Sequence, residues 1–236
     1  AVADAVDQAL LEHDQNPSCQ ALLPRFRTLE RLRLIRLVLG WLELEGQREH
    51  DFAVVASERA AALDIEGIRV HMTLDRIDQL DDGRLLVIDY KTGRSIDTKN
   101  WASQRLTEPQ LPMYAAIVKP AEGPVAGVVF AKVLMKEPAW AGLAAQDKLL
   151  PKVHGLDSKT ARALYPEQTF PDWASVLQHW EQRIRAMAVE IVQGDAGVRF
   201  TDAQQLRYCD VVPLLRLSER QDQLQAAQGR TQERAS

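Results

Sequence analysis

The chain has 236 residues, of which 46% are hydrophobic, and its formal net charge is −4. This length and apolar content are enough for one large domain, or for a core with an accessory subdomain. The acidic balance argues against a nonspecific polycationic binder, although a local basic patch could still contact a polyanion. The sequence has no apolar run of about 18 residues and no signal-peptide pattern, so we expect a soluble, cytoplasmic protein that does not contact a membrane.

Residues 1–50 are predicted to form a helical segment that packs on the rest of the chain. Residues 1–13 have one apolar face, an Asn-Pro-Ser sequence at 16–18 interrupts the helix, and Pro24 opens a longer helix that reaches about Gly46. This second helix carries a run of arginines: Arg25, Arg27, Arg31, Arg33 and Arg36. Such a run can be a solvated face, or it can contact phosphates beside a cleft.

Three strands are predicted next, near residues 51–58, 67–79 and 84–91. An Asp-Asp-Gly turn at 81–83 joins the second strand to the third. These two strands are therefore expected to be neighbours in a hairpin.

Two carboxylates and a lysine lie on this predicted hairpin. Asp75 belongs to its first strand, and Asp89 and Lys91 share one face of its second strand because side chains alternate. Val87 and Ile88 make the approach to Asp89 apolar, and a buried carboxylate is costly unless it is paired or bound to a metal. Mg²⁺ needs only one or two protein carboxylates, together with water and phosphate oxygens. The pattern predicts a metal-and-lysine site, and ordinary solvated hairpin side chains are the alternative.

A helix is predicted from residue 108 to 119, followed by a strand near 125–135. Pro109 suits the first turn of this helix, and Gln110 and Tyr114 share one of its faces because they are four residues apart. Both have polar tips on an otherwise apolar helix. They can line a site, or they can cap the helix and pack in the core.

With these motifs in this order, the sequence resembles the PD-(D/E)XK nucleases and, within them, the RecB-type exonuclease domains of helicase-like DNA repair proteins. Those domains carry a G-x-I-D-R-I-D strand, a D-Y-K-T-G strand and a Q-x-x-x-Y helix at similar spacing. The resemblance covers roughly residues 50–217. It implies an α/β fold with a restriction-endonuclease-like α-β-β-β-α-β core, a mixed sheet and flanking helices.

The resemblance also implies a role for each matching residue. Asp75 and Asp89 become the metal ligands, and Lys91 becomes the catalytic lysine. The strand pattern itself adds the backbone carbonyl of Tyr90, which could be a further ligand. The ion is expected to be Mg²⁺, with Mn²⁺ as the alternative. The implied catalytic set is Asp75, Asp89, Lys91, Gln110, Tyr114 and Glu58, the last of which ends the first predicted strand.

Two departures from the family pattern concern metals. Relatives usually have a metal-binding histidine on a helix well upstream, and Asp75 is too near Ala1 for that, so we expect the chain to be a fragment. His71 shares a strand face with Asp75 and is the best replacement, with a purely structural histidine as the alternative. Many relatives also bind an iron–sulfur cluster near residues 205–217, but a cluster needs four thiolates and this chain has two cysteines, so no cluster is expected.

The predicted organisation is a helical segment at 1–50, a nuclease core with the metal site at 51–136, a loop-rich insertion with an amphipathic helix at 137–217, and a polar, frayed or disordered tail at 218–236. Trp140, Trp173 and Trp180 could stack on unpaired bases or pack in the core.

The function expected from these residues and the resemblance is metal-dependent hydrolysis of DNA phosphodiesters by an exonuclease module in repair or recombination. Its partners would be DNA and a helicase-like region of the same or another polypeptide. The alternative is a catalytically inactive nuclease fold that binds DNA or acts as a scaffold.

Overall fold

The structure is a computed structural model that describes residues 1–93, 96, 98–118, 123–195, 197 and 212–223. The chain divides into two compact units, Ala1–Gly194 and Asp195–Ser236. The first unit contains the sheet and every residue of the predicted site. Within the described residues, no helix is both long and apolar enough to cross a membrane.

The elements of the first unit follow one another in this order: α1 (Val2–Gln15), α2 (Pro24–Glu45), β1 (Phe52–Ile65), β2 (Ile68–Leu80), β3 (Leu85–Lys91), a 3₁₀ turn (Lys99–Ala102), α3 (Gln110–Met113), a π-helical turn (Tyr114–Val118), β4 (Val125–Lys132), β5 (Ala139–Ala144), β6 (His154–Gly155), α4 (Lys159–Arg162) and α5 (Trp173–Val192). The described part of the second unit contains a short helix, α6 (Val212–Leu215).

The six strands form one mixed sheet in the order β1-β2-β3-β4-β5-β6. β2 is antiparallel to both β1 and β3, β4 is parallel to β3, β5 is antiparallel to β4, and β6 is parallel to β5. The α/β class, the mixed sheet and the flanking helices are therefore confirmed. This arrangement is consistent with a restriction-endonuclease-like fold.

The central strand β3 is buried on both faces, as its continuous apolar sequence requires. Leu85 and Val87 belong to one hydrophobic cluster, which includes residues of α3 and α5. Leu86 and Ile88 belong to a second cluster, which includes residues of α2 and β5. Because side chains alternate along a strand, the two clusters lie on opposite faces of the sheet.

The predicted hairpin forms where expected. β2 and β3 are predicted to within one residue at each end, and Gly83 in their turn has a φ of +82°, which favours glycine. β1 is longer than predicted, because it continues to Ile65 beyond the expected end at residue 58. β1 and β2 thus form a two-stranded ribbon that extends beyond the pairing of β2 with β3, which runs from Arg76 to Gln79.

The predicted loop-rich insertion, which begins at residue 137, also contains two strands of the sheet, β5 and β6. β5 pairs with β4 along Ala139–Ala144. The Trp-Ala-Gly-Leu sequence of β5 does not alternate between polar and apolar residues. Its Trp140 and Leu143 are both buried. The predicted domain limits at residues 50, 136 and 217 stay predictions.

The tryptophans that could have stacked on bases mostly fill the core. Trp140 is 4% exposed and Trp180 is fully buried. Trp173 is partly buried, and its indole N–H donates to the carbonyl of Val125 at 2.7 Å. Asp172 caps α5 by accepting the N–H of Ser175 at 2.8 Å, which positions the amphipathic face that carries Trp180.

Candidate active site

The two candidate metal ligands lie opposite each other on adjacent strands. Arg76 of β2 pairs with Ile88 of β3, so the next pair along the antiparallel register is Asp75 with Asp89. Residues directly opposite in an antiparallel pair project from the same face. Asp89 is 3% exposed and Asp75 is half-buried. The folded hairpin therefore brings the two carboxylates together.

Lys91 lies beside this pair, as its spacing from Asp89 predicts. Its Nζ is 2.8 Å from Oδ2 of Asp89 and 5.4 Å from the centre of the Phe130 ring. One oxygen of Asp75 accepts the backbone N–H of Tyr90 at 2.7 Å. This hydrogen bond joins β2 to β3 beyond Arg76 and Ile88, where their regular pairing ends.

Burial raises the pKa of Asp89 above the ordinary range of an aspartate. The hydrogen bond and positive charge of Lys91 act in the opposite direction, and the negative charge of Asp75 adds to the rise. An ionised Asp89 thus needs more positive charge than Lys91 supplies. A bound cation would meet that need.

The residues present fit a hard divalent ion. Oδ2 of buried Asp89 lies 2.8 Å from the ammonium of Lys91, which offsets only part of the cost of burying this carboxylate. The two carboxylates supply oxygen ligands, which Mg²⁺ and Mn²⁺ accept. Across the described residues, no group of three or more His, Cys, Asp or Glu side chains forms a metal cage. Water or phosphate oxygens would complete the shell.

The opposite face of the same strands is fixed by a buried ionic network. Arg76 donates from Nε and Nη2 to the carboxylate of Asp78, at 2.6 and 2.9 Å, and from Nη1 to Glu45 of α2 at 2.7 Å and to the hydroxyl of Tyr90 at 3.0 Å. Arg48 donates to the same fully buried Asp78 at 2.6 Å. These bonds occupy Arg76, which supports a structural role for this residue.

A cleft of about 710 Å³ opens beside Lys91. The distal part of β2, including His71 and Thr73, forms one wall, and the start of α3 with Gln110 forms the other. Asp75 is the next residue on the β2 face that carries His71 and Thr73. Asp75 and Asp89 do not themselves line the cleft, and the contact between them and the cleft is Lys91, which lines it and lies 2.8 Å from Asp89. His71 is exposed and lines the cleft, so it is available to a ligand there.

Gln110 and Tyr114 have different environments. The side chain of Gln110 donates to the carbonyl of Thr73 at 2.9 Å and so ties α3 to the β2 wall of the cleft. Tyr114 is 1% exposed and belongs to the core cluster, at the start of the π-helical turn. The structure brings Gln110 to the cleft and places Tyr114 in the packing beneath it.

Glu58 lies across the β1–β2 ladder from Asp75. Ser57 pairs with Arg76, and Arg59 pairs with Leu74, so the residue between them on β1 faces Asp75. Glu58 has a φ of +47°, in the left-handed region that is costly for a glutamate, and its side chain is exposed. It lies at the margin of the site, with its backbone held in a strained conformation.

Sequence reasoning missed two charged residues near the cleft. Lys132 of β4 pairs with Lys91 in the parallel register, so the two amines project from the same face. Glu108 lines the cleft and has a φ of +48°. The pairing of β3 with β4 could not be read from residues so far apart in the chain. The sequence alone therefore gave no signal for Lys132.

Other predicted features lie outside the site. In α2, Arg27 pairs with Asp14, Arg31 with Asp7, and Arg33 with Glu30, which supports a solvated and helix-pairing face for these three arginines. Cys19 is a free, partly buried thiol. Cys209 and the tail from residue 224 lie outside the described residues, so the absence of a cluster and the nature of the tail stay predictions.

The comparison with protein families agrees with this geometry. No curated protein matches the chain. The family model of the PD-(D/E)XK nuclease superfamily matches residues 1–214. The match includes both N-terminal helices, which the motif resemblance over 50–217 did not. Since it spans most of the 236 residues, the chain belongs to the PD-(D/E)XK nuclease superfamily.

Proposed function

We propose that this chain is a metal-dependent deoxyribonuclease, and that it acts as an exonuclease module in DNA repair or recombination. The observation that carries the proposal is the opposition of Asp75 and Asp89 on neighbouring strands, with Lys91 at 2.8 Å from Asp89. Superfamily membership supports hydrolysis of phosphodiesters. DNA as the substrate, attack from an end and a helicase-like partner rest on the motif resemblance.

Asp75, Asp89 and the carbonyl of Tyr90 would hold the ion, whose chemistry when bound is to polarise the scissile phosphate and to lower the pKa of a water molecule. Lys91 donates from Nζ to the attacking water or to a phosphate oxygen, where negative charge increases in the transition state. Gln110 keeps the two walls of the cleft at a fixed distance through its bond to Thr73. Tyr114 supports α3 from the core, and Glu58 borders Asp75.

The test is digestion of end-labelled linear duplex DNA, single-stranded DNA and closed circular DNA in the presence of Mg²⁺ or Mn²⁺. We expect both linear substrates to be shortened from their ends and the circle to survive. Asp89→Ala and Lys91→Ala should each lose activity by several orders of magnitude, because each removes a group that acts on the reacting phosphate. Asp81→Ala is the matched control, since Asp81 is an exposed aspartate in the hairpin turn. If wild type and both site variants are equally inert, the nuclease proposal is wrong.

The second candidate is a nuclease fold that binds DNA without cutting it. The observation that favours it is that both carboxylates already have partners, Lys91 for Asp89 and the Tyr90 N–H for Asp75. DNA binding that needs no divalent ion, together with no cleavage by wild type, would support this candidate. Cleavage that disappears in Lys91→Ala would exclude it.

A further inference from the structure

The long helix α2 has apolar residues on two opposite sides. Trp41 and Leu44, which are 6% and 8% exposed, contact the body of the domain. Leu32 lies nine positions before Trp41, which is two and a half turns at about 100° per residue, and therefore on the opposite side. A helix that is apolar on both sides is normally covered on both sides.

The outer side of α2 has the spacing of a helix-pairing surface. Arg25, Leu29, Leu32, Arg36, Leu39 and Glu43 follow one another at alternating steps of four and three residues, as in the a and d positions of a heptad. Leu29, Leu32 and Leu39 are 64%, 48% and 46% exposed. Such a row of exposed leucines on one helix is typical of an interaction surface. We call these six residues the outer seam.

The outer seam matches a second copy of itself when the two helices run antiparallel. Placing the two-fold axis at position 34 sets Leu29 of one copy against Leu39 of the other, and Leu32 against Arg36. The same operation sets Arg25 against Glu43 at both ends of the seam. Each a position then meets a d position, as antiparallel pairing requires. No salt bridge involving Arg25 or Glu43 is found among the described residues, so both are available to a partner.

We propose that the outer seam of α2 pairs with the α2 of a second copy of this chain, to give a two-fold symmetric dimer through antiparallel helices. The seam spans about 27 Å, from 18 residue steps of about 1.5 Å each. An ion pair between Arg25 of one copy and Glu43 of the other lies at each end of the seam. Gly40, which has no neighbouring heavy atom near its Cβ position, flanks the seam beside Leu39 and leaves room for the exposed Phe26 of the other copy.

Arg36 is the unfavourable residue of the seam. Its counterpart in the second copy lies about 6 Å away along the helix axis, because each is two residues from the two-fold axis. The two arginines repel each other, and the exposed Arg36 must direct its guanidinium to solvent. Replacing Arg36 with leucine should therefore strengthen the dimer. If the outer seam instead bound an acidic protein, the same replacement would weaken that binding.

The test is sedimentation velocity of the full chain over a concentration series. Wild type should dimerise, and Leu29→Glu should weaken the dimer by about tenfold or more, because it places a charge against an apolar side chain twice per dimer. Leu164→Glu is the matched control, since Leu164 is 42% exposed and lies outside α2. Circular dichroism should show an unchanged fold in both variants, because both leucines are exposed.

The charge pairs give a stricter test of the antiparallel register. Arg25→Glu and Glu43→Arg should each weaken the dimer by about fivefold, because each creates two repelling pairs. The two changes combined should restore the dissociation constant of the wild-type dimer within about twofold. Arg36→Leu should tighten it. A wild type that stays monomeric at every concentration overturns the proposal, as does a dimer that is insensitive to Leu29→Glu or a double reversal that does not restore it.

Discussion

Asp89 is the residue where the proposed function and stability conflict. It is 3% exposed at the end of an apolar strand, and burial raises its pKa. The pKa of Asp89 is higher in the folded chain than in the unfolded chain. Asp89 therefore makes its full contribution to the free energy of unfolding only below the ordinary pKa of an aspartate. That contribution is lost as the pH rises through the raised value. Ionisation of Asp89 therefore costs stability in the folded chain, as expected if the proposed site binds a cation.

Asp89→Asn should stabilise the metal-free chain at neutral pH by about 1 kcal/mol, because it removes the cost of ionisation. The gain should shrink as the pH falls, since the wild-type carboxyl is then protonated as well. Mg²⁺ should raise the stability of wild type but not that of Asp89→Asn. Urea unfolding at neutral and acidic pH measures these differences, with Asp81→Asn as the exposed control. A variant less stable than wild type at neutral pH would show that Lys91 fully compensates Asp89.

Tyr114 does not lie where the Q-x-x-x-Y motif implies. The four-residue spacing places Gln110 and Tyr114 on one helical face, and the family resemblance implies that both line the site, but Tyr114 is 1% exposed in the core. We expect Tyr114→Ala to lower the free energy of unfolding by about 3–5 kcal/mol, as loss of a buried ring does. Tyr114→Phe should keep both the fold and the nuclease activity. Thermal unfolding and the digestion assay measure the two effects, and loss of activity in a stable Tyr114→Phe would assign a catalytic role to the hydroxyl.

At the scale of elements, α2 packs behind the strands that carry the proposed metal site. One buried ionic network contains Arg76, Asp78, Arg48 and Glu45, the last of which ends α2. Arg76 also donates to the hydroxyl of Tyr90. Tyr90 lies between Asp89 and Lys91 on β3. The network therefore fixes the backbone that carries the site while its own side chains stay on the other face of the sheet.

Asp78→Ala should lower the free energy of unfolding by about 3–5 kcal/mol, because it leaves two buried guanidinium groups without their shared carboxylate. Residual activity should fall with it at temperatures where the variant is still folded, since the strand pair is less firmly held. Arg33→Ala is the control. It removes an ion pair on the exposed side of α2 and should cost less than about 1 kcal/mol. Equal losses in the two variants, measured by urea unfolding, would contradict the structural role of the network.

Elements with a strong local pattern were predictable from the sequence. β2, β3 and the long helices α2 and α5 follow from alternation, turn residues and helical spacing, because each depends on its own residues. The outer half of β1 was missed, since Ala60, Ala61 and Ala62 give no strand signal and form a strand only by pairing with β2. β5 was missed because its burial depends on the distant residues of α2. The same limit applies to the site: Asp75, Asp89 and Lys91 follow from spacing, whereas Lys132 requires the β3–β4 register.

At the scale of the whole molecule, the net charge of −4 means that the DNA of the proposed function would have to be held by a local basic patch. The described cationic groups near the cleft include Lys91, Lys132 and the exposed Arg69 at the start of β2. Few phosphates can then be neutralised, so DNA binding should depend only weakly on salt. The divalent ion is expected to supply much of the remaining positive charge.

Lys132→Ala tests this local patch. Because Lys132 lies beside Lys91 without contacting Asp89, its loss should weaken DNA binding by several fold and raise KM, while kcat changes little. The slope of log K against log salt should fall in magnitude by about one, the contribution of one phosphate contact. Lys148→Ala is the control, since Lys148 is exposed and follows the end of β5 that lies away from Lys132. Binding titrations by fluorescence anisotropy at several salt concentrations give both quantities. If the two lysine variants behave alike, DNA does not pass beside the carboxyl ends of β3 and β4.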